Sequence, residues 1–422
     1  MRTPVRYMND KTGLIADWIR YQQNTTCLVY CLLYILTLTC IFLSKNTVYA
    51  DDSQHRSQDM QDNSAEAGDH ANRGFIQRQL DQLLGSEESA TESGFLIFPT
   101  VSYAPETQWD FGLNTLYVYF ANDRIENRLS EINVYTFYTQ EEQYGLWADH
   151  TIYTDHNEWF LYGKARFQYF PMNFFGVGLD ATPDVKAVID SDLIWVRERI
   201  LKKWKGSLYW GVELDFRSTQ NIVVRPQGST SLTPLPFGID GGVQTGIGLG
   251  LIYDSCYNAM NVRDGVLAEL GFLNYSSALS TYPMSVLFFD NRWFFPTTHT
   301  QVLALQIQGE FAFGEIPFNQ LPTIGGANLM RGYYVGRYRD KRAMAAQVEY
   351  RWLPFTSGWR LGGAVFAALG TVSSSWAVER ALWSAGLGLR YLLFPQKDIF
   401  SRFDYAFTEE GTGAYFYIGE SF

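Results

Sequence analysis

From residue 94 to the end of the chain, apolar and polar residues alternate with a period of two. In 302–313 (VLALQIQGEFAF), leucine, isoleucine and phenylalanine fall on one face, and glutamine and glutamate fall on the other. The same alternation recurs in 343–353 and in 383–391. Successive side chains of a β-strand point to opposite faces, so this pattern predicts strands with one apolar and one polar face. The chain is therefore expected to be all-β from residue 94 onward.

Aromatic residues crowd the ends of these predicted strands. The chain is 16% aromatic and only 18% charged, whereas soluble domains have about 25% charged residues. The aromatic residues in question are Trp109, Phe111, Tyr119, Phe120, Trp159, Phe160, Tyr169, Phe170, Trp293, Phe294 and Phe295. Aromatic bands at both ends of alternating strands are typical of transmembrane barrels, whose apolar face is turned to lipid and whose polar face is turned to the lumen.

Alternation and turn signals together predict sixteen strands. The first eight lie near 95–103, 109–120, 128–138, 143–153, 158–169, 190–203, 206–218 and 242–254. The second eight lie near 265–275, 283–293, 298–312, 342–353, 358–371, 381–393, 397–407 and 412–421. An even number is what a bacterial outer-membrane barrel requires. We therefore expect an antiparallel transmembrane β-barrel over residues 94–422.

The first 93 residues have a different composition. Basic residues precede an apolar run at 27–44, and Val48-Tyr49-Ala50 follows it as a small-residue cleavage pattern. This order predicts a signal peptide over 1–50, with a retained transmembrane helix as the alternative. Residues 51–93 are acidic and polar, which predicts a periplasmic linker with a short helix near 75–84. The expected location of the barrel is the bacterial outer membrane.

Charge and cysteine usage exclude several classes of protein. The net charge of −11 argues against a nucleic-acid partner, which would need a basic face. Of the four cysteines, only Cys256 lies outside the predicted signal peptide, so no internal disulfide is expected. We expect no metal and no cofactor, because the sequence lacks a clustered ligand pattern and a phosphate-binding loop. His150 and His156 are expected in surface loops, and without a serine–histidine motif we expect no enzymatic activity.

The predicted connection between the eleventh and twelfth strands is the longest in the barrel, and it contains Arg331. A guanidinium that enters a barrel must pair with carboxylates, because burial of an unpaired charge is costly. Alternation places Glu349 and Asp404 on the lumen face. We therefore predict that Arg331 docks on Glu349, Asp404 or both and fixes the loop inside the barrel; the alternative is an exposed arginine in a flexible outer loop.

The segment 325–351 (GGANLMRGYYVGRYRDKRAMAAQVEYR) resembles the bacterial surface antigen family, the BamA/TamA superfamily of outer-membrane assembly and secretion barrels. Met330-Arg331-Gly332-Tyr333 is similar to the V-R-G-[FY] motif of the loop that folds back into the lumen in that family. The segment 248–254 (GLGLIYD) is similar to the family's G-x-G-x-x-x-D motif, and 418–422 is similar to its closing strand with a terminal aromatic residue, here Phe422.

The resemblance implies insertion of outer-membrane proteins or translocation of polypeptide or lipid, with the lumen loop held through Arg331, Gly332 and Tyr333. Two residues depart from the family pattern: Ala368 stands where aspartate is common, and Cys256 stands where arginine is usual. The 43 residues of 51–93 are also too few for one of the family's periplasmic POTRA modules, so we expect a barrel that lacks them.

A weak seam is expected between the first and last strands. Pro99 removes one hydrogen-bond donor from the first strand, and Gly419 lies in the last one. Lateral opening there would expose strand edges that pair with a client by β-augmentation. The expected partners are outer-membrane lipid and unfolded outer-membrane proteins or a secreted polypeptide, and the barrel is expected to be a monomer. The alternatives are a passive porin-like channel and a surface antigen or adhesin barrel.

Overall fold

A computed structural model describes residues 94–422, except for 125, 228–233, 257–260, 354–359 and 395–398. Sixteen long strands run through this part of the chain. The first eight are β1 (Gly94–Ala104), β2 (Gln108–Phe120), β3 (Leu129–Thr139), β4 (Tyr144–Tyr153), β5 (Trp159–Tyr169), β6 (Ala187–Lys205), β7 (Leu208–Pro226) and β8 (Gly242–Asp254). The second eight are β9 (Gly265–Tyr275), β10 (Met284–Thr298), β11 (Gln301–Gly314), β12 (Arg342–Trp352), β13 (Leu361–Ser373), β14 (Leu382–Phe394), β15 (Ile399–Thr408) and β16 (Gly411–Ile418).

Each strand pairs antiparallel with its neighbours in sequence, and β1 also pairs with β16, which closes the sheet into a barrel. A short strand, Met172–Phe174, adds to the edge of β6. The helical structure in the described residues is limited to 3-10 turns at Ala121–Asp123, Asp155–Asn157 and Phe318–Gln320. No helix in this part of the chain is long and apolar enough to cross a membrane. The all-β barrel of sixteen strands is confirmed.

The strand limits differ from expectation by three or more residues at several strand ends; β10, for example, ends at Thr298 rather than near 293. β6 and β7 each contain 19 residues, so this hairpin is longer than predicted, because its ladder continues past an irregularity at Asp190–Asp192 as far as the pair Ala187 and Pro226. The last strand ends at Ile418 rather than near 421. Gly419 has a φ of +95°, a conformation that glycine adopts without strain, and the chain turns there out of the sheet.

The cross-strand register defines the two faces of the wall. Odd-numbered residues of β12 and even-numbered residues of β15 face the lumen, where Glu349 and Asp404 are fully buried. The opposite face is apolar and exposed, as shown by Leu249, Leu369 and Leu387, each more than half exposed. Apolar side chains exposed on the outside and charged side chains buried inside are the inverse of a soluble protein and fit a barrel surrounded by lipid.

The connections show which end of the barrel faces the periplasm. At the end that holds Gly94 and Ile418, the connections are short, between two and ten residues. At the other end three connections between long strands contain 15 or more residues, and the longest covers residues 315–341 between β11 and β12. Outer-membrane barrels have short periplasmic turns and long extracellular loops, so both ends of the described chain lie on the periplasmic side.

Candidate functional site: the plug loop and the barrel seam

Residues 315–341, which we call the plug loop, fold into the barrel from the extracellular end. A small hairpin of Thr323–Ile324 with Tyr338–Arg339 shapes the loop. Met330, Tyr333 and Tyr338 are buried in one apolar cluster with wall residues of β12, β13 and β14. Because the loop buries its apolar residues against the inner wall, it forms a packed plug.

Gly332 allows the plug loop to approach the wall closely. Its φ is +104°, and a Cβ at this position would lie 2.5 Å from the Thr408 Cγ2 atom. Its backbone N–H donates a hydrogen bond of 2.8 Å to the Tyr415 hydroxyl on β16. A side chain larger than hydrogen would therefore meet both backbone strain and a steric clash.

Arg331 reaches two carboxylates on different strands. Its Nη2 atom lies 2.5 Å from Glu349 Oε2 on β12, and its Nη1 atom lies 2.7 Å from Asp404 Oδ2 on β15. The Ser384 hydroxyl on β14 donates to the Arg331 backbone carbonyl. All three charged side chains are fully buried. The planar guanidinium fork suits such a bridge, because its donors point in fixed directions toward both acceptors.

Three wall arginines surround the same two carboxylates. Arg351 Nε lies 2.8 Å from Glu349 Oε1, and Arg390 contacts both Glu349 (3.1 Å) and Asp404 (2.6 Å). Arg402 Nη1 lies 3.0 Å from Asp404. Because each carboxylate has several guanidinium partners, the wall holds the two charges in place even where the plug loop does not contribute.

The position that the resembled family fills with aspartate has a different environment here. Ala368 is buried in the apolar cluster beside Met330. Two residues earlier on β13, the Phe366 ring lies under Arg331, with the guanidinium carbon 3.4 Å from the ring centroid. The guanidinium is therefore covered by an aromatic ring on one side and bound to Glu349 and Asp404 at its donors.

The other predicted residues lie around this centre. The Tyr333 hydroxyl donates to the Trp383 carbonyl at 3.0 Å. Phe422 turns into the lumen after Gly419, where its ring lies 5.0 Å from the Arg351 guanidinium carbon and its backbone oxygen accepts from Arg351 Nη2 at 3.0 Å. Pro99 lies in β1 opposite Leu113 of β2.

The boundary between β1 and β16, which we call the seam, has the shortest ladder in the barrel. Its register contains the single pair Tyr103 and Phe416. Every other boundary between neighbouring long strands in the described residues has eight or more registered pairs. Extending the seam register places Gly419 opposite Thr100, so the periplasmic part of β1 continues past the end of β16.

The plug loop contacts both sides of the seam. On the β16 side, Gly332 is held by Tyr415. On the β1 side, the β1–β2 turn presents Glu106, whose Oε1 atom accepts the Val335 N–H at 2.7 Å. Burial raises the pKa of Glu106, while the Val335 N–H acts to lower it. Because the same loop binds β16 and the turn that follows β1, it spans the seam from the inside.

Sequence reasoning missed Glu106, because its partner Val335 lies 229 residues away and a carboxylate in a short outer turn carries no local signal. His150 was expected in a surface loop, and this was wrong. It lies within β4 and faces outward, in register with Ile132 and Gly163. His156 lies in the 3-10 turn after β4.

A closed barrel with an apolar exterior, a charged lumen and an inserted loop is a bacterial outer-membrane β-barrel protein. Residues 242–422, the second half of this barrel, match the family model described as the Omp85 superfamily domain. No curated protein matches the chain.

Two solved structures share the fold. The first is BamA from Haemophilus ducreyi lacking POTRA domains 1–3, at 13% identity and a TM-score of 0.54, covering 78% of this chain and 70% of that one. The second is CdiB from Acinetobacter baumannii, at 12% identity and a TM-score of 0.50, covering 81% of this chain and 66% of that one.

Proposed function

We propose that this barrel assists the insertion of outer-membrane proteins by opening its seam sideways into the membrane. The seam register of one residue pair is the observation that carries the proposal. Separating β1 from β16 would break little of the barrel's ladder, whereas separation elsewhere would break a ladder of at least eight pairs. The similarity to BamA and the Omp85 superfamily domain support the same function.

The opened edges would act as templates. A strand edge offers a row of backbone N–H and C=O groups that an incoming strand can pair with. β1 continues past the end of β16, so a client strand that pairs with β1 would have a longer partner than β16 provides. The client in this proposal is an unfolded outer-membrane protein. Lipid surrounds the open seam but does not pair with the strand edges.

The plug loop would control the opening. Arg331 ties the loop to β12 and β15, Gly332 ties it to β16, and Val335 ties it to Glu106 next to β1. The seam can widen only if either the Glu106 contact or the Tyr415 contact breaks, because one loop holds both. In this proposal, the lumen-loop lock of Arg331, Glu349 and Asp404 keeps the loop on the β12–β16 side when Glu106 releases it.

A disulfide across the seam tests the proposal. Tyr103→Cys with Phe416→Cys places two thiols at directly facing positions, in a background with all native cysteines replaced by serine. Purified protein in liposomes is given a urea-denatured outer-membrane protein, and the folding rate of that client is measured with the bond oxidised and reduced. Oxidation should abolish the acceleration over empty liposomes, and reduction should restore it.

The matched control is Val101→Cys with Phe111→Cys, a facing pair across the β1–β2 boundary. That boundary is already a continuous ladder, so its disulfide should leave the client folding rate unchanged. A seam disulfide that leaves acceleration intact would contradict lateral opening.

A passive channel is the second candidate, favoured by charged lumen residues that pair with one another instead of with the plug loop. Arg197 and Arg199 bind Glu213, and Arg199 also binds Glu269 at 2.6 Å. Steady ion conductance without any acceleration of client folding would support the channel against insertion.

A further inference from the structure

An ionisable pair lies on the lipid-facing surface of the barrel, away from the plug loop. His150 Nε2 on β4 is 3.2 Å from Glu198 Oε1 on β6. The two side chains meet over Gly163 of β5, where an added Cβ would lie 2.3 Å from Glu198 Oε2 and 2.4 Å from His150 Cε1. Glu198 is in register with Leu214, whose side chain is exposed on the outer face, so the pair points away from the lumen.

The pair lies at the depth of the hydrocarbon. Strand β5 carries an outward aromatic residue at each end, Trp159 and Tyr169, and Gly163 lies between them. At about 3.3 Å per residue and a strand tilt of about 40°, these two aromatic residues are about 25 Å apart in depth, which is the height of the apolar band of such barrels. Gly163 is then roughly 10 Å inside the periplasmic aromatic girdle.

Lipid hydrocarbon offers no hydrogen-bond partner to the remaining polar atoms of this pair. Their mutual hydrogen bond uses one ring nitrogen and one carboxylate oxygen, and within the described residues the His150 Nδ1 and Glu198 Oε2 atoms have no hydrogen bond. Ionisable side chains on the lipid face destabilise a barrel unless a polar group meets them. As an ion pair, with both ring nitrogens of His150 protonated and Glu198 ionised, the patch offers one further donor and one further acceptor.

Small residues lie beside the pair on the outer face of the barrel. Ala148 of β4 and Ala165 of β5 face each other in register and point outward beside Gly163. In membranes, small residues allow two backbones to come close, and polar side chains then bind across the contact. The combination of small residues with a donor and an acceptor is that of a protein contact within the bilayer.

We propose that a second copy of this chain covers this patch. Two copies inserted in the same direction are related by a two-fold axis along the membrane normal. With the axis beside Gly163, the β4 side of one copy faces the β6 side of the other at the same depth. His150 then donates to the partner's Glu198, and Glu198 accepts from the partner's His150, so the patch is complementary to itself.

This inference is independent of the proposed insertion function, and it replaces the expectation of a monomer with a weak dimer. The contact is confined to the middle of β5, because the tilted strands of the two copies cross there. Two reciprocal hydrogen bonds within a membrane favour association by about one order of magnitude over the same contact without them.

Cross-linking of the purified chain in lipid vesicles tests the proposal and excludes other membrane proteins as partners. Ala165→Cys, in a background with all native cysteines replaced by serine, should give a covalent dimer with a short thiol cross-linker. The matched control is Leu387→Cys, an outward residue 61% exposed on β14, which should give none. Adding His150→Leu and Glu198→Leu should reduce the dimer about tenfold.

Ala165→Cys dimers no more abundant than those of Leu387→Cys would overturn the proposal, as would dimers unaffected by the two leucines. If the double-leucine chain fails to fold, His150→Glu with Glu198→His decides the question. The swapped chain remains complementary to itself but places like groups opposite each other when mixed with the original chain. Mixed dimers should then fall below the statistical fraction, and a statistical fraction would refute reciprocal pairing.

Discussion

Replacing Arg331 separates the plug loop from the wall without touching the seam strands. Arg331→Ala removes the bonds to Glu349 and Asp404 and the stacking on Phe366. Removing one partner of a buried ion pair costs about 3–5 kcal/mol, mostly because the remaining charge is left unpaired. Here both carboxylates keep wall arginines, so the loss should be near the lower limit, about 3 kcal/mol.

This loss should appear as local opening of the plug loop. An opening free energy lowered by about 3 kcal/mol raises the open population by a factor on the order of 10². Arg331→Lys should raise the open population by about tenfold, which lies between the original chain and Arg331→Ala. A single ammonium group cannot bridge two carboxylates in the manner of a guanidinium.

Native-state cleavage by chymotrypsin measures this population. Tyr333 is 1% exposed and lies two residues from Arg331, so its peptide bond is cut only when the loop opens. The cleavage rate after Tyr333, followed by mass spectrometry on folded protein in liposomes, should increase about 10²-fold in Arg331→Ala. The matched control is Arg380→Ala, which removes a half-exposed arginine 3.8 Å from Glu409 and should leave the rate unchanged. A rate in Arg331→Ala within threefold of the original chain would refute the reasoning.

Three further predictions concern the contacts around the lock. Burial raises the pKa of Glu106 above its ordinary 4.5, so the Glu106 carboxyl binds its proton more tightly when the plug loop is closed than when it is open. The stability of the closed loop therefore falls as the pH rises from about 4.5 through the raised pKa. Glu106→Gln should remove this fall, seen as a flatter dependence of Tyr333 cleavage on pH between 4 and 8; an unchanged slope would contradict it. Gly332→Val should increase the same cleavage at least tenfold, because it adds a positive-φ strain of about 1–3 kcal/mol to the clash with Thr408, and a normal rate would show that the loop has room there. Phe422→Ala should lower the urea unfolding free energy by about 3 kcal/mol, since the ring packs with Phe294 and under Arg351; a change below 1 kcal/mol would mean that the turned-in end does not stabilise the barrel.

The barrel could be predicted from the sequence because the pattern that defines each strand lies within a few neighbouring residues. Period-two alternation shows at each strand which face a side chain takes, so sixteen strands and the lumen position of Glu349 and Asp404 follow from neighbouring residues. The same alternation runs through β4, and the predicted strand near 143–153 contains His150, so the expectation of a surface loop for this residue was inconsistent with the pattern.

The contacts of the plug loop were less predictable from the sequence, because they join residues that lie far apart along the chain. Glu106 meets Val335 only after the barrel closes and brings β1 next to β16. The end of β16 depends on one glycine whose φ of +95° is a property of the folded chain. Alternation places Arg351, Arg390 and Arg402 on the lumen face, but their sharing of two carboxylates depends on how the strands stagger around the barrel.

The departure at Ala368 has a consequence for how the loop and the seam work together. With alanine on β13, the charged contacts of Arg331 shift to β12 and β15. Asp404 on β15 is in register with Tyr415 on β16, and Tyr415 also accepts the Gly332 N–H. Asp404 therefore lies on β15, the strand next to β16, and β16 forms one side of the seam. In the proposed mechanism, a displacement of β16 would move Tyr415 and the plug loop together, so opening of the seam and loss of the Val335–Glu106 contact would be mechanically linked.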